Sequence, residues 1–230
     1  REDRLRALEA DLKKTSPSLK VTVLACDLAD LDGVKALGAS LPQVDVLINN
    51  AGAGDSGFFE QVDWAKAERL FTLNALAPAW LTRHVLPGMV ARGRGGVLNV
   101  SSGFGLTSLP SFGSYVASKH FMTGLTQAVR AEMAGTGVVV CQTCPGPVAT
   151  DFEAALGGPL LVSPPRFVEI SAERCARDSL AAFERDVGLF VPGMLMRLVT
   201  WVVGVTPRWV LERVQAALAR RMRGRGPSAR

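Results

Sequence analysis

The sequence predicts an α/β protein built on a doubly wound parallel sheet with helices on both faces. Three observations carry this. Short apolar runs (Val21–Cys26, Val44–Ile48, Val97–Val100, Val138–Cys141) are continuous rather than alternating, as in strands buried on both faces. Stretches with helical periodicity separate them, the pattern of repeated strand–helix units. Successive runs end in Asp27, Asn49-Asn50-Ala51-Gly52, Ser101-Ser102 and Pro145-Gly146, so small and polar residues collect at the carboxyl edge, where such sheets bind ligands.

Taken in order, Asp3 to Lys14 reads as a charged amphipathic helix (Leu5, Leu8 and Leu12 at helical spacing) stopped by Ser16-Pro17. The strand Val21–Cys26 follows, then a short helix from Leu31 to Ser40 and the strand Val44–Ile48. One long helix is expected from Asp63 to Arg92, the strand Val97–Val100 after it, and a helix from Phe112 to Met133 with Met122, Leu125, Val129 and Met133 facing the core. The strand Val138–Cys141 leads to a Pro/Gly-rich stretch (Gly157 to Pro165), a helix from Ser171 to Arg185, a short strand Val187–Val191 and a tail.

A chain of 230 residues that is 48% hydrophobic and 20% charged has the profile of one globular α/β domain with a large core. Its formal charge of +5 is not spread evenly: residues 194–230 hold eight Arg and one acid, Glu212, so the tail carries +7 and the rest −2. A basic tail on an acidic body argues against a nucleic-acid-binding domain. Four cysteines do not make a disulfide scaffold. Cys141-Gln142-Thr143-Cys144 matches CxxC but sits in a strand-like run, where residues three apart point to opposite faces. His84 and His120 form no ligand set, and no metal is expected. No signal peptide is expected, and a first residue of Arg, not Met, leads us to expect that the natural start lies upstream.

Tyr115, the only tyrosine, has Lys119 four residues after it and Ser102 thirteen before it. Four residues along a helix advance about 400°, so phenol and ammonium share a face. A phenol with an ordinary pKa near 10 is a weak base at neutral pH. An ammonium about 4 Å away at an effective dielectric near 20 would stabilise the phenolate by about 4 kcal/mol. Phenol, ammonium and the Ser102 hydroxyl, converging on one carbonyl oxygen, would make a hydride-transfer site.

This constellation resembles the short-chain dehydrogenase/reductase family, and the likeness covers nearly all of residues 1–193. Asn49-Asn50-Ala51-Gly52 is similar to the family's NNAG motif, Asp27-Leu28 to its acidic pair bordering the adenine, and Pro145-Gly146-Pro147-Val148-Ala149-Thr150 to the segment flanking the nicotinamide. The resemblance implies a Rossmann-like fold, a catalytic set of Asn74, Ser102, Tyr115 and Lys119, and a proton-relay water anchored by Asn74. It implies cofactor contacts from Asp27, Leu28, Asn50, Ala51, Gly52, Tyr115, Lys119, Pro145, Gly146, Val148 and Thr150. Arg1 resembles the cation that meets the 2′-phosphate in NADP-preferring members, so NADP is expected, with NAD as the other nicotinamide. The family's first strand and its Gly-rich phosphate turn have no counterpart here; Gly52, Gly54 and Gly57 match G-x-G-x-x-G only literally, since no helix starts at them.

The expected organisation is a dinucleotide-binding and catalytic domain over 1–193, with a substrate lid at about 151–170, and an apolar and basic tail over 194–230. Apolar residues in the lid region (Leu156, Leu160, Leu161, Val162, Phe167) suggest an apolar small-molecule carbonyl or alcohol as substrate. Met194–Thr206 is too short to span a bilayer, and the amphipathic stretch Trp209 to Arg223 has Leu211, Val214, Leu218 and Met222 on one side. It would lie on an anionic membrane surface, cover the substrate cleft or contact a subunit. The expected partners are the small molecule and, by resemblance, further copies of the chain, with no nucleic acid. The expected location is cytoplasmic, with or without membrane association. A non-catalytic dinucleotide-binding or membrane-surface scaffolding protein on the same fold stays open beside the enzyme.

Overall fold

A computed structural model describes residues 1–150 and 168–224. Helix α1 (Glu2–Thr15) is followed by α2 (Leu31–Ser40), which opens where the Asp30 carboxylate accepts from Asp32 N–H. Strand β1 (Val46–Asn49) leads to α3 (Trp64–Phe71), a π-helical turn (Thr72–Leu76) and α4 (Ala77–Arg92). Then come β2 (Gly95–Val100), α5 (Gly113–Glu132), β3 (Val138–Thr143) and β4 (Val148–Ala149). Beyond the undescribed stretch are β5 (Ile170–Ser171), α6 (Ala172–Glu184), β6 (Leu189–Phe190), α7 (Met194–Val205) and α8 (Arg208–Arg223).

The main sheet runs β1-β2-β3-β6 and is parallel throughout, with Val97 aligned to Leu47 on one side and Val140 on the other. A second parallel pair, β4 with β5, was not foreseen. Val97, Val138 and Val140 pack with Val85 and Met89 of α4 and with Val129 and Met133 of α5 on one face of the sheet; α6 covers the other, where Phe183 lies against Gly96 and Ser179 hydrogen-bonds Thr143. Val34, Ala77 and Leu81 form a neighbouring cluster that takes in Leu28 and Trp80. The approach of α4's end to β3's start depends on Gly137 (φ +78°), where a Cβ would collide with the Gly93 carbonyl.

Two expectations are corrected. Val21–Cys26 forms no strand: a strand needs a neighbour for its backbone groups, and among the described residues none pairs with it. The single helix from Asp63 to Arg92 is instead α3 and α4 joined by the π turn, where the Ala77 N–H reaches back five residues to Thr72 O. The lid stretch and its apolar residues from 151 to 167 lie outside the described residues.

Candidate active site

At the carboxyl end of β2, Ser102 adopts extended backbone geometry and caps a 3-10 turn, its hydroxyl accepting from Phe104 N–H at 3.1 Å. The turn closes tightly on α5: a Cβ on Gly105 would lie 2.6 Å from both Ser101 Oγ and Thr123 Oγ1. That closeness brings Ser102 beside Tyr115, where its hydroxyl acts to lower the phenol's pKa. Phe104 meets the Tyr115 ring edge to face at 6.1 Å and stacks on Phe112 at 5.3 Å, fixing the ring.

One turn along α5, Lys119 is 5% exposed and its Nζ lies 5.8 Å from the Tyr115 ring centroid, donating to Val100 O at 3.1 Å. Burial pushes this ammonium down to about 8, while the nearby Cys144 thiol works the other way. Burial also raises the Tyr115 phenol above its ordinary value, opposed by the Ser102 hydrogen bond. The sequence expectation of a phenol held low by its lysine is therefore not met. The ammonium is turned to a backbone carbonyl, and removal from water disfavours the phenolate.

Asn74 projects from the π turn into this site. Its Oδ1 accepts from Ala53 N–H at 3.0 Å, and its Nδ2 donates to Ala53 O at 2.8 Å and to Ser118 Oγ at 3.1 Å. Ser118 in turn donates to Tyr115 O at 2.7 Å. A Cβ on Gly52 would lie 3.3 Å from Asn74 Oδ1 and 3.5 Å from Lys119 Nζ, so the bare glycine leaves one small space that both polar atoms face. Asn50 and Ala51 are exposed just before it. Beneath, Asn49 Nδ2 donates to Asn99 Oδ1 at 2.8 Å, and Asn99 Nδ2 donates to Thr126 Oγ1 at 2.9 Å, tying β1, β2 and α5 together below the site.

Pro145 O accepts from Gly103 N–H at 2.7 Å, joining the segment after β3 to the Ser102 loop. Val148 lies in β4, and Thr150 Oγ1 donates back to Val148 O at 3.3 Å. At the far end of the sheet edge, Arg1, Glu2, Leu5, Ala25, Cys26 and Asp27 line a cleft of about 510 Å³. The Asp27 carboxylate accepts from Arg69 at 2.8 Å and from Ala29 N–H at 2.9 Å, and the Arg69 hydrogen bond holds it below the usual carboxylate range. Leu28 is partly buried, its side chain packed against Val34, Ala77 and Leu81.

A matching family model decides what these residues belong to: the short chain dehydrogenase model covers residues 1–158. The chain belongs to the short-chain dehydrogenase family. Among relatives of this family, the human "Dehydrogenase/reductase SDR family member 7" is 29% identical over 200 residues, covering 82% of this chain and 59% of that protein. The ketoacyl reductase HetN of Nostoc sp. is 35% identical over 60% of this chain. The chain thus spans about half the length of the curated relatives it matches, 47% of HetN's and 59% of the human protein's. A short-chain dehydrogenase from Sphingobium yanoikuyae in complex with NADPH superposes with a TM-score of 0.76 at 26% identity, covering 99% of this chain and 85% of that one.

Several residues escaped the sequence reading. Ser118 links Asn74 to the Tyr115 carbonyl; its only signal was a polar residue three beyond Tyr115 on the same helix. Met196 of α7 lies against Gly146, where a Cβ would be 2.5 Å from Met196 Cγ, and its Cε would be 3.6 Å from a Cβ on Gly103. No local pattern announces that contact. The CxxC thiols diverge as expected: Cys141 lies by Arg130 and Asp186, Cys144 by Ser101 and Lys119, and burial pushes each up to about 11. His84 stacks on Trp80 at 4.8 Å, and His120 Nδ1 meets Val116 O at 3.0 Å. Among the described residues no group of three or more His, Cys, Asp or Glu is placed to hold a metal.

Proposed function

We propose that the chain is an oxidoreductase that moves a hydride between a nicotinamide cofactor, NADP(H) by preference, and the carbonyl or secondary alcohol of an apolar small molecule. The observation that carries this is the convergence of Ser102, Tyr115, Lys119 and Asn74 around the space beside Gly52. Residues on the same edge fit such a cofactor. The Arg1–Asp27 cleft would take its adenine end, Asn50, Ala51 and Gly52 its middle, and Pro145, Gly146, Val148 and Thr150 its nicotinamide end. The cofactor supplies or accepts the hydride. Ser102 holds the substrate oxygen by its hydroxyl, and Tyr115 exchanges a proton with that oxygen. The raised phenol stays protonated at neutral pH, the form that gives a proton to a carbonyl. Lys119 offsets the negative charge left on Tyr115, and with Asn74 Oδ1 it holds a water beside Gly52 that returns the proton.

NADP is favoured over NAD by Arg1 in the adenine-end cleft and by the NADPH held in the Sphingobium relative. We read residues 1–193 as the catalytic unit and 194–230 as a cover on it. Four free cysteines support a reducing, cytoplasmic setting, and family resemblance supports a homo-oligomer. A panel of apolar ketones and β-ketoacyl thioesters with NADPH and NADH, read by absorbance of the reduced nicotinamide, tests the proposal. Turnover is expected with NADPH, and Tyr115→Phe is expected to lower kcat more than about 100-fold with cofactor binding retained. Cofactor binding without turnover on any substrate would favour the non-catalytic reading.

A further inference from the structure

The C-terminal helices show two unlike sides. Inward, α8 is clasped to the loops after β1 and β2. Gln215 Nε2 donates to Ser108 Oγ at 2.8 Å, Arg223 Nη1 donates to Glu60 Oε1 at 2.7 Å, and the Arg223 guanidinium lies 3.9 Å from the Phe58 ring centroid. Met222 is buried, and Leu211 and Leu218 are partly so; only Val214 of the apolar stripe on this helix is exposed. Outward, α7 shows the reverse of a usual surface helix. Met194 is 83% exposed and Trp201 63%, with Leu195, Leu198, Val199, Val202 and Val205 exposed beside them. No residue of α7 is buried, and Arg197 is its only charge. The Trp209 ring, at the start of α8, is also exposed and lies 5.0 Å from the Arg213 guanidinium.

We propose that this face seats the protein on an anionic lipid bilayer, with α7 lying in the headgroup region. An apolar surface of this extent is costly in water. Its surroundings select the partner. The tail carries a net +7, and Arg208, Arg220 and Arg221 of α8 are exposed and have no carboxylate partner among the described residues. An apolar helix with an exposed tryptophan, followed by a cationic helix with another, suits an anionic membrane interface, where indole rings settle between headgroup and chain. A second copy seated on the same face by two-fold symmetry would set +7 against +7, which opposes it. The helices lie on the surface rather than cross it: no described helix is long and apolar enough to span a bilayer, and α7 and α8 meet at 114°. Met196, on the other edge of α7, covers Gly146, so docking brings the cleft to the source of an apolar substrate, a consequence that rests on the oxidoreductase reading.

The test is co-sedimentation of the full chain with phosphatidylcholine vesicles, with and without phosphatidylserine, in the absence of cofactor and substrate. It reads docking alone and can fail while reductase activity stands. The chain is expected to bind the phosphatidylserine vesicles at low salt and to release as salt rises. Arg208→Glu/Arg220→Glu/Arg221→Glu is expected to weaken binding more than about 100-fold, since each Arg near such a surface contributes about 1 kcal/mol. Leu198→Glu/Trp201→Glu is expected to abolish binding while turnover of a water-soluble ketone is kept. Salt-sensitive binding of the unmodified chain supports the proposal even if a variant fails to fold. Absence of binding at low salt, binding untouched by Leu198→Glu/Trp201→Glu, or a dimer that this pair dissociates with no vesicle binding would each overturn it.

Discussion

Lys119 carries the largest electrostatic cost in the site, because an ammonium 5% exposed has given up most of its water. Its folded pKa of about 8 lies below the ordinary 10.5. Between those values the unfolded chain holds the proton and the folded protein does not, so stability rises with pH across that window. The full gap corresponds to roughly 3 kcal/mol, to be read as an order of magnitude. In the cofactor-free protein, chemical denaturation from pH 8 to 10.5 is expected to show the unmodified chain gaining stability relative to Lys119→Met by an amount of this order. Parallel curves for the two proteins would mean that the ammonium is not desolvated in solution. The spacing of Ser102, Tyr115 and Lys119 was legible because helical periodicity alone puts two of them on one face. The direction of the phenol's shift was not, because it depends on burial and on Val100 O, neither of which a local spacing reports.

Among the elements, α7 is the one that reaches the Gly146 end of the proposed site. Met196 is held over Gly146 by a helix whose Arg197 Nε donates to Val191 O at 3.3 Å and whose guanidinium lies 5.1 Å from the Phe190 ring centroid. Met196→Ala is expected to open that cover, raising kcat/KM for bulky ketones over small ones by about 10-fold, the scale at which an apolar pocket discriminates. Turnover of a small ketone is expected to stay within about 2-fold. An unchanged bulky-to-small ratio would place Met196 outside the substrate's reach. Continuous apolar runs made β2 and β3 readable and put β1 within two residues of its place, because buried parallel strands need that composition. Val21–Cys26 has the same composition without a pairing neighbour, and composition alone cannot distinguish the two. The docking of α7 on Gly146 joins residues about 50 apart, beyond any periodicity.

Across the whole molecule, order is graded outward from β2 and β3. These two strands pair over six residues and are buried along most of their length. Helix α1 has no buried residue, and the stretch from Val21 to Asp27 has no strand partner among the described residues. Amide hydrogen exchange should therefore be slowest in Val97–Val100 and Val138–Cys141, and faster by orders of magnitude in residues 1–27. Uniform protection across both would show that α1 is held by contacts this arrangement does not provide. The fold class was legible at this scale because small and polar residues gathered where the apolar runs ended. The Asn49–Asn99–Thr126 ladder below the site was not, since it joins three elements far apart in sequence.

The π turn between α3 and α4 is also a matter of counting. Leu70 and Met89 are both buried, and their separation of 19 positions is about one too many for whole turns at 3.6 residues each. The wide turn at Thr72–Leu76 absorbs the surplus, keeping Ala67 and Leu70 in phase with Leu81, Val85 and Met89. A chain one residue shorter in this turn would close into a regular helix with the same buried stripes still in phase. The surplus residue therefore serves the turn itself, the one that carries Asn74 to Ala53 and Ser118.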